Sequence, residues 1–139
     1  RLEKGFGIWS AEFTQGYTPG MTGMDRWIDW EKEEFIGQAA AIKERDGNGP
    51  AQKLVMLEID ADDADASGYE PVWNNDSLVG FVTSGGYGHT LKKSLAMALV
   101  NNDLANENQK LKVHVVGVEK DATVIQASPY DPEGKVMRV

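Results

Sequence analysis

The run Pro71-Val72-Trp73-Asn74-Asn75-Asp76-Ser77-Leu78-Val79-Gly80-Phe81-Val82-Thr83 sets two apolar stretches on either side of four polar turn formers. That order predicts a β-hairpin, since Asn, Asp and Ser suit the turn while β-branched and aromatic residues suit a pleated surface. Upstream, Gln52 to Asp60 holds Leu54, Val55, Met56, Leu57 and Ile59 between Pro50 and an acidic loop, and reads as a largely buried strand. Downstream, Ser94 to Val100 is a further apolar run. Leu111, Val113 and Val115 then alternate with Lys112, His114 and Val116 at the period of two of a half-buried strand. Thr123-Val124-Ile125 is the expected return strand, with Glu119-Lys120-Asp121 at the turn before it. Six or so short strands with little helix predict a mainly β chain with some α, built as a small antiparallel barrel or sandwich.

The first 50 residues have a different texture. They carry Trp9, Trp27 and Trp30, then Phe35 to Arg45 with apolar positions at 35, 36, 39 and 42, acidic Glu31, Glu33 and Glu34 ahead and basic residues at the end. This predicts an amphipathic helix whose charges complement its dipole. Asp46-Gly47-Asn48-Gly49-Pro50 follows with the strongest turn formers and a proline, and reads as a linker between residues 1–50 and 51–139. Across 139 residues, 22 Asp and Glu against 14 Lys and Arg leave a formal net charge of −8, a field that repels phosphate backbones and anionic lipid surfaces. No nucleic-acid or membrane partner is expected. Mean hydropathy is −0.42, and no apolar run approaches the roughly 18 residues of a membrane-crossing helix. Without cysteine the chain forms no disulfide, thiolate metal site or Cys nucleophile. It opens on Arg1 rather than Met, which reads as a cut inside a longer protein.

Few residues in this chain combine into chemistry. Asp60, Asp62, Asp63 and Asp65 offer oxygens to a hard cation, but the EF-hand spacing puts Asp65 where a glycine is needed and Pro71 where an acid is needed. A solvated loop is expected there, and no metal site. Thr83-Ser84-Gly85-Gly86-Tyr87-Gly88-His89-Thr90-Leu91-Lys92-Lys93-Ser94 is superficially like a phosphate cradle, yet a P-loop needs Gly immediately before its Lys, where Leu91 stands. A sharp glycine-rich crossing between two strands, allowing close backbone approach, is the preferred reading. His114, on the alternating strand, is expected at the surface or internally satisfied. His89 is expected to hydrogen-bond across the glycine loop, for instance to Glu70. Two histidines without metal spacing give zinc no support, and no Gly-x-Ser-x-Gly elbow is present. Aromatics at the density of Trp9, Trp27 and Trp30 serve core or interdomain contacts more often than they stack on a heterocycle. From the residues alone no catalytic set is complete.

Several segments in order carry a resemblance. Arg1-Leu2-Glu3-Lys4-Gly5-Phe6-Gly7-Ile8-Trp9 with Thr18-Pro19, Phe35-Ile36-Gly37, Glu70-Pro71-Val72, Val79 to Gly85, Lys93 to Val100 and Ser128-Pro129-Tyr130-Asp131-Pro132 resemble the C-terminal part of the folate-binding aminomethyltransferase family, the glycine-cleavage T-protein and its relatives. Gly86-Tyr87-Gly88-His89-Thr90-Leu91 looks more like the branch fused to flavin-dependent dimethylglycine and sarcosine dehydrogenases. The resemblance implies that residues 1–50 are the helical tail of a folate-binding domain with its linking helix. It implies that residues 51–139 are a six-stranded antiparallel barrel closing over a folate channel. Tetrahydrofolate is the implied cofactor of the whole protein, a methylated amine its substrate and the upstream domains of the same chain its partners, with FAD only in an upstream domain not present here. In such proteins an upstream aspartate is central to catalysis. No residue of this chain is therefore expected to be catalytic, and the fragment alone is expected to be inactive. The implied location is the cytoplasm of a bacterium, or the mitochondrial matrix in a eukaryote.

The chain departs from the family at Met21, where an acidic residue is common, at Gly23-Met24-Asp25-Arg26-Trp27, where a Gly-Leu-Gly-aromatic run is common, and near Ser67, where an arginine is found. These departures shift the implied folate contacts to Arg26, Trp27 and Tyr69. Arg26 is then either a bidentate partner of a folate carboxylate or a surface ion pair. Two further roles stay open: a non-catalytic barrel that buttresses neighbouring domains, and part of a folate-dependent sulfonium demethylase. A chain that belongs against other domains should leave Trp9 and Trp27 partly exposed.

Overall fold

The computed structural model describes residues 1–138. Six strands, β1 (Gln52–Ile59), β2 (Pro71–Asn74), β3 (Ser77–Gly88), β4 (Lys93–Asn101), β5 (Lys110–Val115) and β6 (Val118–Ile125), close into a barrel in the order β1-β4-β3-β2-β5-β6. Every pair is antiparallel, including β1 with β6. The expected fold class, mainly β with a six-stranded antiparallel barrel, is the observed one. Helices α1 (Pro19–Thr22) and α2 (Gln38–Asp46) precede it.

Side-chain period explains which strands read clearly in the sequence. On β5, Leu111, Val113 and Val115 are buried while Lys112 and His114 stay half-exposed. On β1 and β4 both faces are covered. Val55, Leu57, Ile59, Ala96, Ala98 and Val100 point into the main core. Met56, Leu95 and Met97 form a second cluster outside it, against Leu2, Leu54, Leu91 and Ile125. Burial on both faces is why these strands appear as continuous apolar runs rather than alternation. Each Val, Leu, Ile or Met among them contributes about 1.5–3 kcal/mol when fully buried. The Arg1–Gly5 segment therefore completes the hydrophobic packing of the barrel wall.

The expected hairpin is present, tightened to a two-residue connection: Asn74 pairs with Ser77, and Asn75 takes φ 52. Three expectations are corrected. Gly85, Gly86 and Gly88 lie within β3, and the crossing to β4 is made by His89 to Lys92, with Lys92 at φ 55. The glycines serve close approach instead, because a Cβ on Gly85 would lie 2.2 Å from the Ala66 carbonyl oxygen. The β5–β6 turn falls at Val116-Gly117, and Glu119, Lys120 and Asp121 are in β6. The helix of the first half starts at Gln38, after Gly37 at φ 85, leaving Ile36 fully exposed and Glu31, Glu33 and Glu34 outside its first turn. No residue of α2 is buried, so its apolar stripe faces no core. Its basic end, Lys43 and Arg45, is as expected.

Candidate functional site

The seam between the first 13 residues and the barrel is built on two carboxylates. Leu2–Lys4 form a 3-10 turn, and Glu3 Oε1 accepts hydrogen bonds from the amides of Thr90 (2.7 Å) and Leu91 (2.8 Å) at the β3–β4 crossing. The Leu91 amide, aided by Thr90, holds the Glu3 carboxyl below its ordinary range against the opposing effect of burial. The Glu3 carbonyl accepts from the Tyr130 amide at 2.9 Å, and Lys4 Nζ lies 3.2 Å from Asp131 Oδ2. Gly5, at φ 68, packs so tightly that a Cβ would come 2.1 Å from the Ala127 carbonyl oxygen. The Arg-Leu-Glu-Lys-Gly run thus fastens the strand crossing and the tail after β6 at once.

Glu12 is fully buried, which sequence reasoning missed because an isolated acid among Ser10, Ala11 and Phe13 has no pattern. Its Oε1 accepts from Ser84 Oγ at 2.5 Å and its Oε2 from the Ile8 amide at 2.8 Å. Burial pushes its pKa up. The hydroxyls of Ser84 and Thr83, the Ile8 amide and the Arg1 charge outweigh that and hold it below the usual carboxylate range. Ser84 sits where the β3–β4 register shifts, between Val82 and Ser84, so a bulge presents the hydroxyl to Glu12.

Arg26 and Trp27 share the 3-10 turn Asp25–Trp27, the guanidinium 5.6 Å from the centre of the Trp27 ring. Trp27 is 76% exposed and Trp9 82%, as expected of surfaces that meet another domain. Arg26 borders a cleft of about 460 Å³ with Lys4, Phe6, Ser128, Met137 and Arg138. Gly5, Arg26 and Ala127 also border a smaller crevice of about 150 Å³, where Phe13, Met24, Met56 and Met97 supply apolar walls. Tyr69 lies elsewhere. It is 85% exposed at φ 71, its ring stacked on Phe81 at 6.4 Å over a separate groove with Pro71 and Leu78. The structure therefore brings Arg26 and Trp27 together and leaves Tyr69 in a groove that shares no lining residue with those that Arg26 borders.

The other singled-out residues are accounted for locally. Glu70 accepts from the amides of Ser67 (2.8 Å) and Val116 (2.7 Å), tying two turns together. His89 instead packs edge-on to Tyr87 at 5.1 Å, which corrects the expected His89–Glu70 contact. His114 stacks on Trp73 at 5.4 Å, with Nε2 3.8 Å from Glu119. Asp63 pairs with Lys120 at 2.8 Å and Asp65 accepts from Ser94 Oγ at 2.7 Å, as befits a solvated loop on a barrel rim. Among the described residues no group of three or more metal-ligating side chains converges. The residues near Arg26 can bind and orient an anion with an apolar body. They include no paired nucleophile and base.

Residues 52–131 match the glycine cleavage T-protein C-terminal barrel domain. The chain belongs to that family. It is 35% identical over 126 residues to mitochondrial dimethylglycine dehydrogenase of Rattus norvegicus, covering 91% of this chain and 15% of that protein. To the aminomethyltransferase of Synechocystis sp. it is 33% identical over 136 residues, covering 97% of this chain and 36% of that protein. Its fold matches the crystal structure of glycine cleavage system aminomethyltransferase T from Bartonella henselae with a TM-score of 0.84 at 24% identity, over 95% of this chain and 37% of that one. This T-protein barrel chain thus spans far less than two thirds of each relative. Among its described residues no helix is long and apolar enough to cross a membrane.

Proposed function

We propose that the chain is the C-terminal region of a tetrahydrofolate-dependent aminomethyl transferase, part of a flavin-linked dimethylglycine or sarcosine dehydrogenase. One observation carries this reading. The 126-residue match to dimethylglycine dehydrogenase is longer than residues 52–139, so the segment before the barrel shares in it. The domain reading that follows is a folate-domain tail over residues 1–50 and a terminal barrel over 51–139.

The Arg26 cleft suits an aromatic acid. Arg26 would pair a folate carboxylate through its N–H fork and Trp27, on the same turn, would offer a flat face to a ring, whereas Tyr69, in its separate groove, would not reach the same ligand. Bound there, tetrahydrofolate would supply the nitrogen that takes up the one-carbon unit while the amine departs. The chain's own part is confinement, holding the acceptor in place and keeping water away from a labile one-carbon unit. The glycine-rich run does not suit a flavin pyrophosphate, because Ser84 to Gly88 are sheet paired with β4. The flavin is assigned to a domain outside this chain, and catalysis with it, so the chain by itself is inactive. The bacterial cytoplasm or the mitochondrial matrix is the location this reading favours.

The exposed Phe6, Ile8, Trp9, Trp27 and Ile36 favour a second role, buttressing against the rest of a longer protein. Calorimetry with tetrahydrofolate on the longer protein separates the two roles. Saturable binding weakened in Arg26→Gln and Trp27→Ala supports the folate reading, and no binding by the longer protein sinks it while leaving the buttress. For the remaining alternative, part of a folate-dependent sulfonium demethylase, the test is the sequence upstream of Arg1: finding a flavin-binding domain there would count decisively against it.

A further inference from the structure

The chain holds seven asparagines, and Asn48 is the one followed by glycine. The other six precede Asn, Asp, Glu or Gln, whose side chains crowd the following backbone nitrogen. Asn48 is exposed, and its side-chain amide makes no hydrogen bond among the described residues. Gly49 adds no Cβ and stands at φ 74, in a stretch that Gly47 also loosens. One restraint is present. The Gly49 amide donates to the Glu44 carbonyl at 3.1 Å, across the C-terminal turn of α2. Asp46-Gly47, two residues earlier, has the same spacing in a different state: the hydrogen bond from Arg45 Nε, at 2.8 Å, holds the Asp46 carboxyl ionised and below its ordinary range. An ionised carboxylate is a poor electrophile for a backbone nitrogen, so the reactive member of the pair is Asn48.

A backbone nitrogen reaches the Cγ of the preceding asparagine through a five-membered ring. We propose that Asn48 is a self-modifying site, at which the Gly49 nitrogen attacks Asn48 Cγ, ammonia leaves, and water opens the cyclic imide to aspartate or isoaspartate. The Gly49 nitrogen gives its proton to hydroxide as the new C–N bond forms, and the departing amide takes one from water. One water is consumed and one ammonia released, with no oxidant and no cofactor. The bond to Glu44 is a latch, because it engages the attacking N–H, and conversion proceeds from molecules in which the last turn of α2 has opened. The product acts on the tie to the barrel. Asn102 Nδ2 donates to the Asn48 carbonyl at 3.3 Å and the Asn102 amide to the Ala51 carbonyl at 3.0 Å, which fastens this loop to the 3-10 turn Asn102–Leu104 after β4. Isoaspartate reroutes the backbone through the side chain, lengthening it by one atom and turning the carbonyl that Asn102 holds into a free carboxylate. Either product also adds negative charge at the C-terminal end of α2, where the helix dipole disfavours it. The linker therefore releases α2 from the barrel as the protein ages.

The test holds freshly purified chain at neutral and mildly alkaline pH at physiological temperature and maps its peptides by mass spectrometry, with isoaspartate read by enzymatic methylation. Asn48 should exchange NH for O at least about tenfold faster than any other asparagine, and faster at the higher pH. A peptide spanning residues 44–53, in which the latch is absent, should convert several-fold faster than the folded chain. Asn48→Gln, whose longer side chain needs a six-membered ring, should keep its circular dichroism and lose the conversion. In converted chain separated by anion exchange, the Asn102 amide should exchange hydrogen faster than in unconverted chain while Leu99 keeps its protection. Conversion at Asn48 no faster than at the other asparagines overturns the site. Equal rates in peptide and folded chain overturn the latch, and unchanged exchange at Asn102 overturns the release of α2.

Discussion

Glu12 has its carboxylate enclosed, and it remains compatible with folding because Ser84 Oγ and the Ile8 amide both donate to it. Removing the acceptor strands one buried donor, Ser84 Oγ, and one part-buried donor, the Ile8 amide. Leaving a buried polar group unsatisfied costs about 1–3 kcal/mol, so Glu12→Ala should lose stability on that order. Glu12→Gln should lose less, since an amide of the same shape still accepts one bond. Urea unfolding of the three proteins checks this, and an alanine variant within about 0.5 kcal/mol of wild type, the range of ordinary surface substitutions, would contradict it. Glu12 was invisible in the sequence for a physical reason: its role depends on a hydroxyl 72 positions away, delivered by a bulge in β3. Arg26 and Trp27 were legible because they break a family pattern locally, and they do share a turn. Tyr69 was legible for the same reason, yet the chain carries it to another groove.

At the level of the elements, the β5–β6 hairpin holds the clearest conflict between local preference and tertiary demand. Val115 pairs with Val118 across Val116-Gly117, with φ of 50 at Val116 and 80 at Gly117. A two-residue turn with both φ values positive calls for Asn-Gly, and a β-branched residue in the left-handed region costs roughly 1–2 kcal/mol. The turn persists because Glu70 accepts its Val116 amide at 2.7 Å and because the register keeps Leu111, Val113 and Val115 inside the barrel. Val116→Asn should therefore raise the melting temperature, by an amount corresponding to about 1 kcal/mol. A thermal scan showing no gain would mean that Val116 makes compensating contacts. The same conflict explains the misplaced turn: Glu119-Lys120-Asp121 carries the polarity expected of a turn and Val116 does not. Polarity there instead reflects the outer face of β6, where Lys112 pairs with Glu119. Strand existence was readable from apolar runs, while the position of a turn set by register was not.

Across the whole molecule, the carboxylates held below their ordinary range fall into two sets, Asp46, Asp63 and Glu119 in exposed ion pairs and three others on one seam. Glu3, Glu12 and Asp131 all lie on the seam that fixes the first residues and the tail to the barrel. Glu12 is the one buried charged residue among those described, and the barrel interior is hydrocarbon. A carboxyl with a folded pKa below its unfolded value contributes stability that is fully present above the unfolded value, about 4. That contribution is lost as pH falls through the folded value, because protonation then removes the acceptor of each hydrogen bond. The barrel's own lowered carboxylates, Asp63 with Lys120 and Glu119 with Lys112, sit like Glu58 with Lys93 in solvent-exposed pairs, which are worth little. Acid should consequently open the seam first. Hydrogen exchange followed from neutral pH down through pH 4 should show the amides of Ile8, Thr90, Leu91 and Tyr130 losing protection while those of Leu99 and Val113 keep theirs. Loss of both sets at one pH would show that the seam and the barrel unfold as a single cooperative unit. In that case Leu2 and its neighbours on the outer cluster, rather than the carboxylates, would be what binds the two parts into one.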